Sequence, residues 1–155
     1  MRWTAKESAL FFESKEYIDT ALVPLTPIAF DEQGRETGNA NEFIQLITMN
    51  IEKQFKGRIL LLPAFTYFHS ESDDWKNQLL ASWLNELKSN FKHVFIISTD
   101  QSWKPILEKS GNEFIWLPAV PLEHLEDEYK TTIIEGQVKQ LLNLFVMKWQ
   151  NAVSQ

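Results

Sequence analysis

Polar and aromatic side chains follow two apolar runs of this sequence, at the points where the runs end. One group follows "GRILLLP" and the other follows "HVFIIS". An imidazole can act as a general base or bind a metal, hydroxyl and carboxyl groups can hold a polar ligand, and an aromatic ring can wall a crevice. The candidate ligand-binding residues are Thr66, Tyr67, His69, Thr99, Asp100 and Trp103.

These candidates also have structural interpretations. His69 precedes a helix start and can be a solvated loop residue, Asp100 can cap a short helix, and Trp103 can pack a helix against a sheet. His69 and His124 could share a metal only if their loops are neighbours, and no short fixed spacing supports such a site. The sequence therefore predicts no metal and identifies no catalytic residue.

The two groups would meet if the apolar runs are neighbouring parallel strands. Residues 59–62 show no polar alternation, which is typical of a strand covered on both faces, and Pro63 cannot continue an inner ladder. The segment "AFTYFH" is then expected to arch over the strand ends toward a helix capped by Ser72. Because parallel strands bring their carboxyl ends to one edge of the sheet, the six candidates are predicted to form a pocket there.

Helices are predicted from capping residues and from apolar residues at helical spacing. The predicted helices begin at Thr4, near Asn41, at Ser72, at Asp100 and near Leu122. Gly111 is predicted to end the fourth helix, and the glycines and charges of "DEQGRETGNAN" predict an exposed loop before the second.

Strands are predicted near residues 21–26, 59–62, 93–98 and 114–117, and helices separate them. This alternation predicts an α/β fold, a three-layer sandwich with a mostly parallel sheet of four or more strands. Residues 1–155 are expected to form a single domain. The predicted strand order is 2-1-3-4, although it places Pro24 and Pro27 in a central strand, where prolines remove ladder donors.

Composition excludes several classes of function. The 155 residues carry a net charge of −6 and no basic block, so nucleic acid is not an expected partner. The absence of cysteine excludes disulfides, thiolate catalysis and cysteine-ligated metals. No apolar run reaches membrane-spanning length and no signal peptide begins the chain, so a soluble, cytoplasmic protein without a membrane partner is expected. The motifs GxGxxG, GxxxxGK[ST] and GxSxG do not occur, and no cofactor is predicted.

Two classes of function stay open. The first is a binding or assembly protein, with a crevice for a small molecule at the carboxyl ends of the strands and homodimerisation suggested by the high aromatic content. The alternative is a small hydrolase or transferase that uses the polar residues at the same strand ends.

Three stretches of the sequence resemble a known family. The segments "WTAKE", "KEYIDTALVPLTPIAF" and "FKGRILLLPAFTY" are similar to the YpiF-like family of small uncharacterised proteins from Bacillus-type bacteria. The resemblance extends over most of the chain and implies a bacterial cytoplasmic protein. The family has no assigned activity, so the resemblance implies no functional residue.

Overall fold

The chain alternates strands with helices in the computed structural model, which describes residues 1–109 and 113–153. The strands are β1 (Thr20–Ile28), β2 (Ile59–Leu61), β3 (Phe65–Phe68), β4 (His93–Ser98) and β5 (Glu113–Trp116). The helices are α1 (Ala5–Glu13), α2 (Gly34–Gln54), α3 (Asp73–Asn90), α4 (Trp103–Lys109) and α5 (Asp127–Val153). Gly111, the predicted end of the fourth helix, lies outside the described residues.

The strands form one parallel sheet in the order β2-β1-β4-β5, and β3 pairs with β1 beyond the end of β2. The predicted strands near 93–98 and 114–117 correspond to β4 and β5, so the predicted order 2-1-3-4 is confirmed. Helices that connect the parallel strands lie on both faces of the sheet. One face packs against α2 and α5, and the other against α1, α3 and α4, which gives the predicted three layers.

The central strand β1 accommodates both of its prolines because each faces a position where pairing with the neighbouring strand is interrupted or has ended. Alternate residues of a parallel strand direct their backbone groups to opposite neighbours, and the Leu22 carbonyl accepts from Leu62 on the β2 side. Pro24 faces the same side, between the last β2 pair at Leu22 and the first β3 pair at Leu25. Pro27 faces β4, whose pairing ends at Leu25. Neither missing N–H interrupts a continuous ladder.

The expectation that "AFTYFH" arches over the strand ends is wrong. Residues 65–68 form the strand β3, whose register runs from Leu25↔Phe65 to Ile28↔Phe68. Pro63 does end β2, but β1 extends far beyond that point and offers free backbone groups to a returning chain. Pairing with β1 satisfies those groups, which an arch would leave to water.

The expectation of an exposed loop before the second helix is also wrong, because α2 begins at Gly34 rather than near Asn41. The buried side chains of Thr37 and Ala40 continue the apolar stripe of the helix toward its start. A Cβ at Gly34 would lie 2.8 Å from the Ala29 carbonyl oxygen, so only glycine fits this close approach. The last helix, predicted from about Leu122, begins at Asp127.

The predicted N-terminal caps of α1 and α3 are confirmed. The Thr4 hydroxyl accepts from the Glu7 N–H at 3.2 Å, and the Ser72 hydroxyl accepts from the Trp75 N–H at 3.2 Å. Each cap satisfies a backbone donor that the first turn of a helix leaves free. Across the described part of the chain, no helix combines the length and the apolar character needed to cross a bilayer.

Candidate functional site

A crevice opens at the carboxyl ends of β1 and β4, where the chain leaves the sheet in two directions. After β1 the chain enters α2 on one face, and after β4 it enters α4 on the other. Open α/β sheets bind ligands at such a switch point because the diverging connections leave a gap. The gap is a cavity of about 310 Å³, here called the switch-point crevice. Its lining residues are Pro27, Gln33, Glu36, Thr37, Ala40, His69, Thr99, Asp100, Gln101 and Trp116.

Beside this crevice, three of the predicted residues form a hydrogen-bonded cluster. The Tyr67 hydroxyl donates to Asp100 Oδ2 at 2.5 Å, and Trp103 Nε1 donates to the Tyr67 hydroxyl at 2.6 Å. The two rings meet edge to face, with 5.1 Å between their centroids. Tyr67 is 3% exposed and Trp103 is 0% exposed, so both rings lie within the layer between the sheet and α3. Asp100 alone of the three also lines the crevice.

The loop that carries Asp100 is held by a second set of hydrogen bonds. Asp100 Oδ1 accepts from the Ser102 N–H at 3.0 Å, so the carboxylate organises the turn before α4 rather than the first turn of the helix, which begins at Trp103 and not at the predicted Asp100. The Asp100 N–H donates to Ser98 Oγ at 3.1 Å, and that hydroxyl donates to the Leu25 carbonyl at 2.8 Å. Asp100 is therefore tied to both central strands of the sheet.

Lys76 supports this cluster from α3, and the sequence analysis did not identify it. Its ammonium lies 5.3 Å from the Tyr67 ring centroid and donates to Ser102 Oγ at 3.2 Å. The side chain is buried among aromatic rings, where a cation is attracted to their faces. Its position in the sequence could have indicated that it is buried, because Lys76 lies one turn before Leu80 in the buried stripe of α3.

The charge states of the cluster follow from burial and hydrogen bonding. Burial raises the pKa of Tyr67 far above its ordinary value, and the neighbouring Asp100 carboxylate raises it further. Burial also opposes ionisation of Asp100, but the hydrogen bonds from Tyr67 and Ser102 outweigh it, and the pKa of Asp100 is lowered. Tyr67 is therefore a neutral phenol that donates to a charged carboxylate throughout the physiological range.

The other three predicted residues lie apart from this cluster. His69 is exposed at the end of β3, where its N–H donates to the Ile28 carbonyl at 2.9 Å, and it lines the crevice. Thr99 lines the crevice too, and its carbonyl accepts from Trp116 Nε1 at 3.1 Å. Thr66 alternates with Tyr67 and faces the α2 side, with its hydroxyl 3.3 Å from that of Thr26.

Seven of the ten lining residues were not predicted from the sequence: Pro27, Gln33, Glu36, Thr37, Ala40, Gln101 and Trp116. Gln33 and Glu36 lie in the segment that was expected to be a loop, so their position beside the strand ends could not be inferred. Glu36 and Asp100 give the crevice two carboxylates, and Trp116 is 39% exposed there. Among residues 1–109 and 113–153, no three histidine or acidic side chains come together in a way that could hold a metal ion.

The other two histidines lie away from the crevice. His93 begins β4 at the opposite edge of the sheet, and burial lowers its pKa. His124 is exposed, has a positive φ of 69° and lies 3.6 Å from the Glu123 carboxylate.

Comparison with known proteins places the chain in a family. The family model described as "Protein of unknown function (DUF2487)" matches residues 9–149. An uncharacterised relative, YpiF of Bacillus subtilis (strain 168), is 34% identical over 149 residues, which are 96% of this chain and 98% of the relative. No solved structure matches the chain significantly. The chain therefore belongs to the DUF2487 family, and the predicted resemblance to YpiF-like proteins is confirmed.

Proposed function

We propose that this member of the DUF2487 family is a single-domain binding protein whose ligand is a small, positively charged molecule held in the switch-point crevice. The observation that carries the proposal is the position of Glu36, His69 and Asp100 around one cavity at the point where β1 and β4 diverge. A cavity of about 310 Å³ is of the size that proteins use for small ligands.

The charges of the crevice favour a cation. Glu36 and Asp100 are its two charged lining residues apart from the histidine, and both are acids. The ammonium of Lys76 stabilises the Asp100 carboxylate, but it does not line the crevice, since it lies over the Tyr67 and Trp103 rings and bonds to Ser102. The partly exposed ring of Trp116 adds a face that attracts cations. A phosphate or carboxylate would meet repulsion at the same place.

The hydrogen bonds favour binding over catalysis. Tyr67 and Asp100 are the groups that a hydrolase or transferase would use most readily, but they are bonded to each other and to Trp103 and Ser102. A raised pKa also makes the Tyr67 phenol a poor nucleophile at neutral pH. The cluster supports a role in holding the crevice wall rigid, which a binding site requires.

Agmatine, which carries an amine and a guanidinium, is a suitable probe. We expect saturable binding in calorimetry and a shift of the His69 imidazole signals in NMR spectra. Glu36→Gln keeps the side-chain shape but removes the charge, and it should weaken binding about tenfold, as expected for the loss of a charge-assisted hydrogen bond. Glu32→Gln is the matched control, because Glu32 is an exposed acid just before α2 that does not line the crevice.

Three outcomes would count against the proposal. Agmatine binding that does not saturate would contradict a cation site in the crevice. Glu36→Gln and Glu32→Gln variants with equal affinity for agmatine would contradict it as well. Conversion of a bound ester or phosphoester to product by the purified protein would support the hydrolase or transferase alternative instead.

The proposal places the protein in the bacterial cytoplasm and includes a homodimer, without nucleic acid or membrane partners. The negative charge of the chain and its aromatic content support this part of the proposal. Light scattering at micromolar concentration tests the dimer, and a measured mass equal to that of the monomer would contradict it.

A further inference from the structure

A second cavity lies where the edge of the sheet is interrupted. β2 ends at Leu61 and β3 begins at Phe65, so the residues between them leave the ladder opposite Pro24. A cavity of about 470 Å³ opens at this interruption on the α2 face and is here called the sheet-break cavity. It shares no lining residue with the switch-point crevice.

The polar groups of the sheet-break cavity are mainly neutral hydrogen-bond acceptors. The Thr48 hydroxyl donates to the Ile44 carbonyl at 2.8 Å, which leaves its lone pairs free to accept. Asn41 Oδ1 is shielded from solvent and has no hydrogen-bond partner among the described residues. A buried acceptor without a partner costs free energy, and a ligand donor would remove that cost when the Asn41 amide turns toward the cavity that this partly exposed residue lines. Thr26 and Thr66 add two further hydroxyls.

The remaining lining is apolar or aromatic apart from Arg2, Thr4 and Gln45. Trp3, Ile44, Met49 and Leu61 contribute side chains to the walls, and Arg2 is the one charged residue among the described lining residues. A cation would lose hydration here without a carboxylate to pair with, and an anion could pair only with the exposed side chain of Arg2. A flat apolar body would instead replace water against these walls.

We propose that the sheet-break cavity binds a neutral aromatic molecule that carries an N–H donor, with the donor directed to Asn41 Oδ1. Thr66, which the structure places away from the Tyr67 cluster, belongs to this second site. The cavity volume lies within the range of small-molecule sites in proteins. This inference is independent of the cation proposed for the switch-point crevice.

Indole and 1-methylindole test the proposal on the full chain, because they differ in the N–H group. In methyl NMR spectra, indole should saturate shifts of Ile44, Leu61 and Thr66 and bind about tenfold more tightly than 1-methylindole, as expected for one satisfied buried acceptor. Asn41→Leu should abolish the difference between the two probes. Asn50→Leu is the control on the same helix, because Asn50 bonds to the Leu46 carbonyl and does not line the cavity.

A filling variant keeps the test independent of any folding defect in Asn41→Leu. Ala64 is exposed at the rim of the cavity, so Ala64→Trp should block indole while leaving the native spectrum elsewhere unchanged. Equal binding of both probes to the unmodified protein, indole shifts that do not saturate, or unchanged binding to Ala64→Trp would each overturn the proposal.

Discussion

The two edges of the sheet carry opposite charge, although both open into cavities. At the carboxyl edge of the strands, the switch-point crevice is lined by Glu36 and Asp100. At the amino edge, a cavity of about 470 Å³ is lined by Lys88, Lys92 and Lys148, together with His93 and one acid, Glu113. Lys148 pairs with Glu113 at 2.8 Å, so Lys88 of α3 and Lys92 just after it remain the main excess charge there.

Helix direction explains much of this difference. Parallel strands joined by helices place the start of the following helix at the carboxyl edge and its end at the amino edge. Acids occupy the first turns of α2, α3 and α5, and lysines occupy the last turns of α2, α3 and α4. Each charge opposes the partial charge of its helix end. The acids of the carboxyl edge therefore have a structural cause in addition to the binding role proposed for Glu36 and Asp100, and the bonded cluster at Asp100 further distinguishes this edge.

Trp103→Ala should disrupt the bonded cluster that distinguishes the carboxyl edge, and it should have the largest effect on stability. The variant removes a fully buried ring and the donor to the Tyr67 hydroxyl, so we expect the free energy of unfolding to fall by about 3–5 kcal/mol. Urea unfolding followed by circular dichroism measures the change. Trp75→Ala is the matched control, because this tryptophan is 38% exposed on α3, and a loss as large as that of Trp103→Ala would contradict the packing role.

Asp100→Asn should have an intermediate effect that depends on pH. The hydrogen bonds from Tyr67 and Ser102 favour the carboxylate, and the variant should lose about 1–3 kcal/mol near neutral pH. Because the folded-state pKa lies below the ordinary value of 3.8, this contribution is present above pH 3.8 and is lost as pH falls through the folded pKa. Unfolding curves from pH 7 to pH 2 should show that the variant lacks this acid-dependent loss.

His93 provides the corresponding comparison at the amino edge. Burial lowers its folded-state pKa below the ordinary value of 6.5, so the unfolded chain binds the proton more readily. Stability from the neutral imidazole is present above pH 6.5 and is lost as pH falls through the folded pKa. In His93→Gln, the free energy of unfolding should vary less with pH just below pH 6.5, while its fall below pH 3.8, which depends on Asp100, should be unchanged. A variant that alters only the fall below pH 3.8 would contradict the role of His93.

The smallest expected effect concerns the charges at the two ends of α3. Asp73→Asn at the first turn and Lys88→Gln at the last turn should each reduce stability by about 0.3–1 kcal/mol at low salt. Both losses should shrink when the salt concentration is raised, because solvent-exposed charges are screened. Thermal unfolding at low and high salt measures them. Losses that persist in high salt would show that helix direction does not explain the charge of the edges.

Several features of the protein followed from local sequence. The caps at Thr4 and Ser72, the apolar strands and the alternation of strands with helices depend on neighbouring residues, so the α/β class and the strand order could be predicted. The sequence predicted only that Tyr67 and Asp100 lie at the same edge of the sheet, because it does not show which residues of two distant segments touch.

Tertiary structure decided the rest. Gly34 and the charges around it look like a loop until the close approach to Ala29 and the buried faces of Thr37 and Ala40 select a helix. Residues 65–68 become a strand because β1 extends past the end of β2 and its backbone groups need partners. That pairing turns Tyr67 toward Trp103, where both pack behind Asp100, and turns Thr66 toward α2, where it lines the sheet-break cavity. Residue order determines how side chains alternate along a strand, but pairing with distant strands determines which face each set meets.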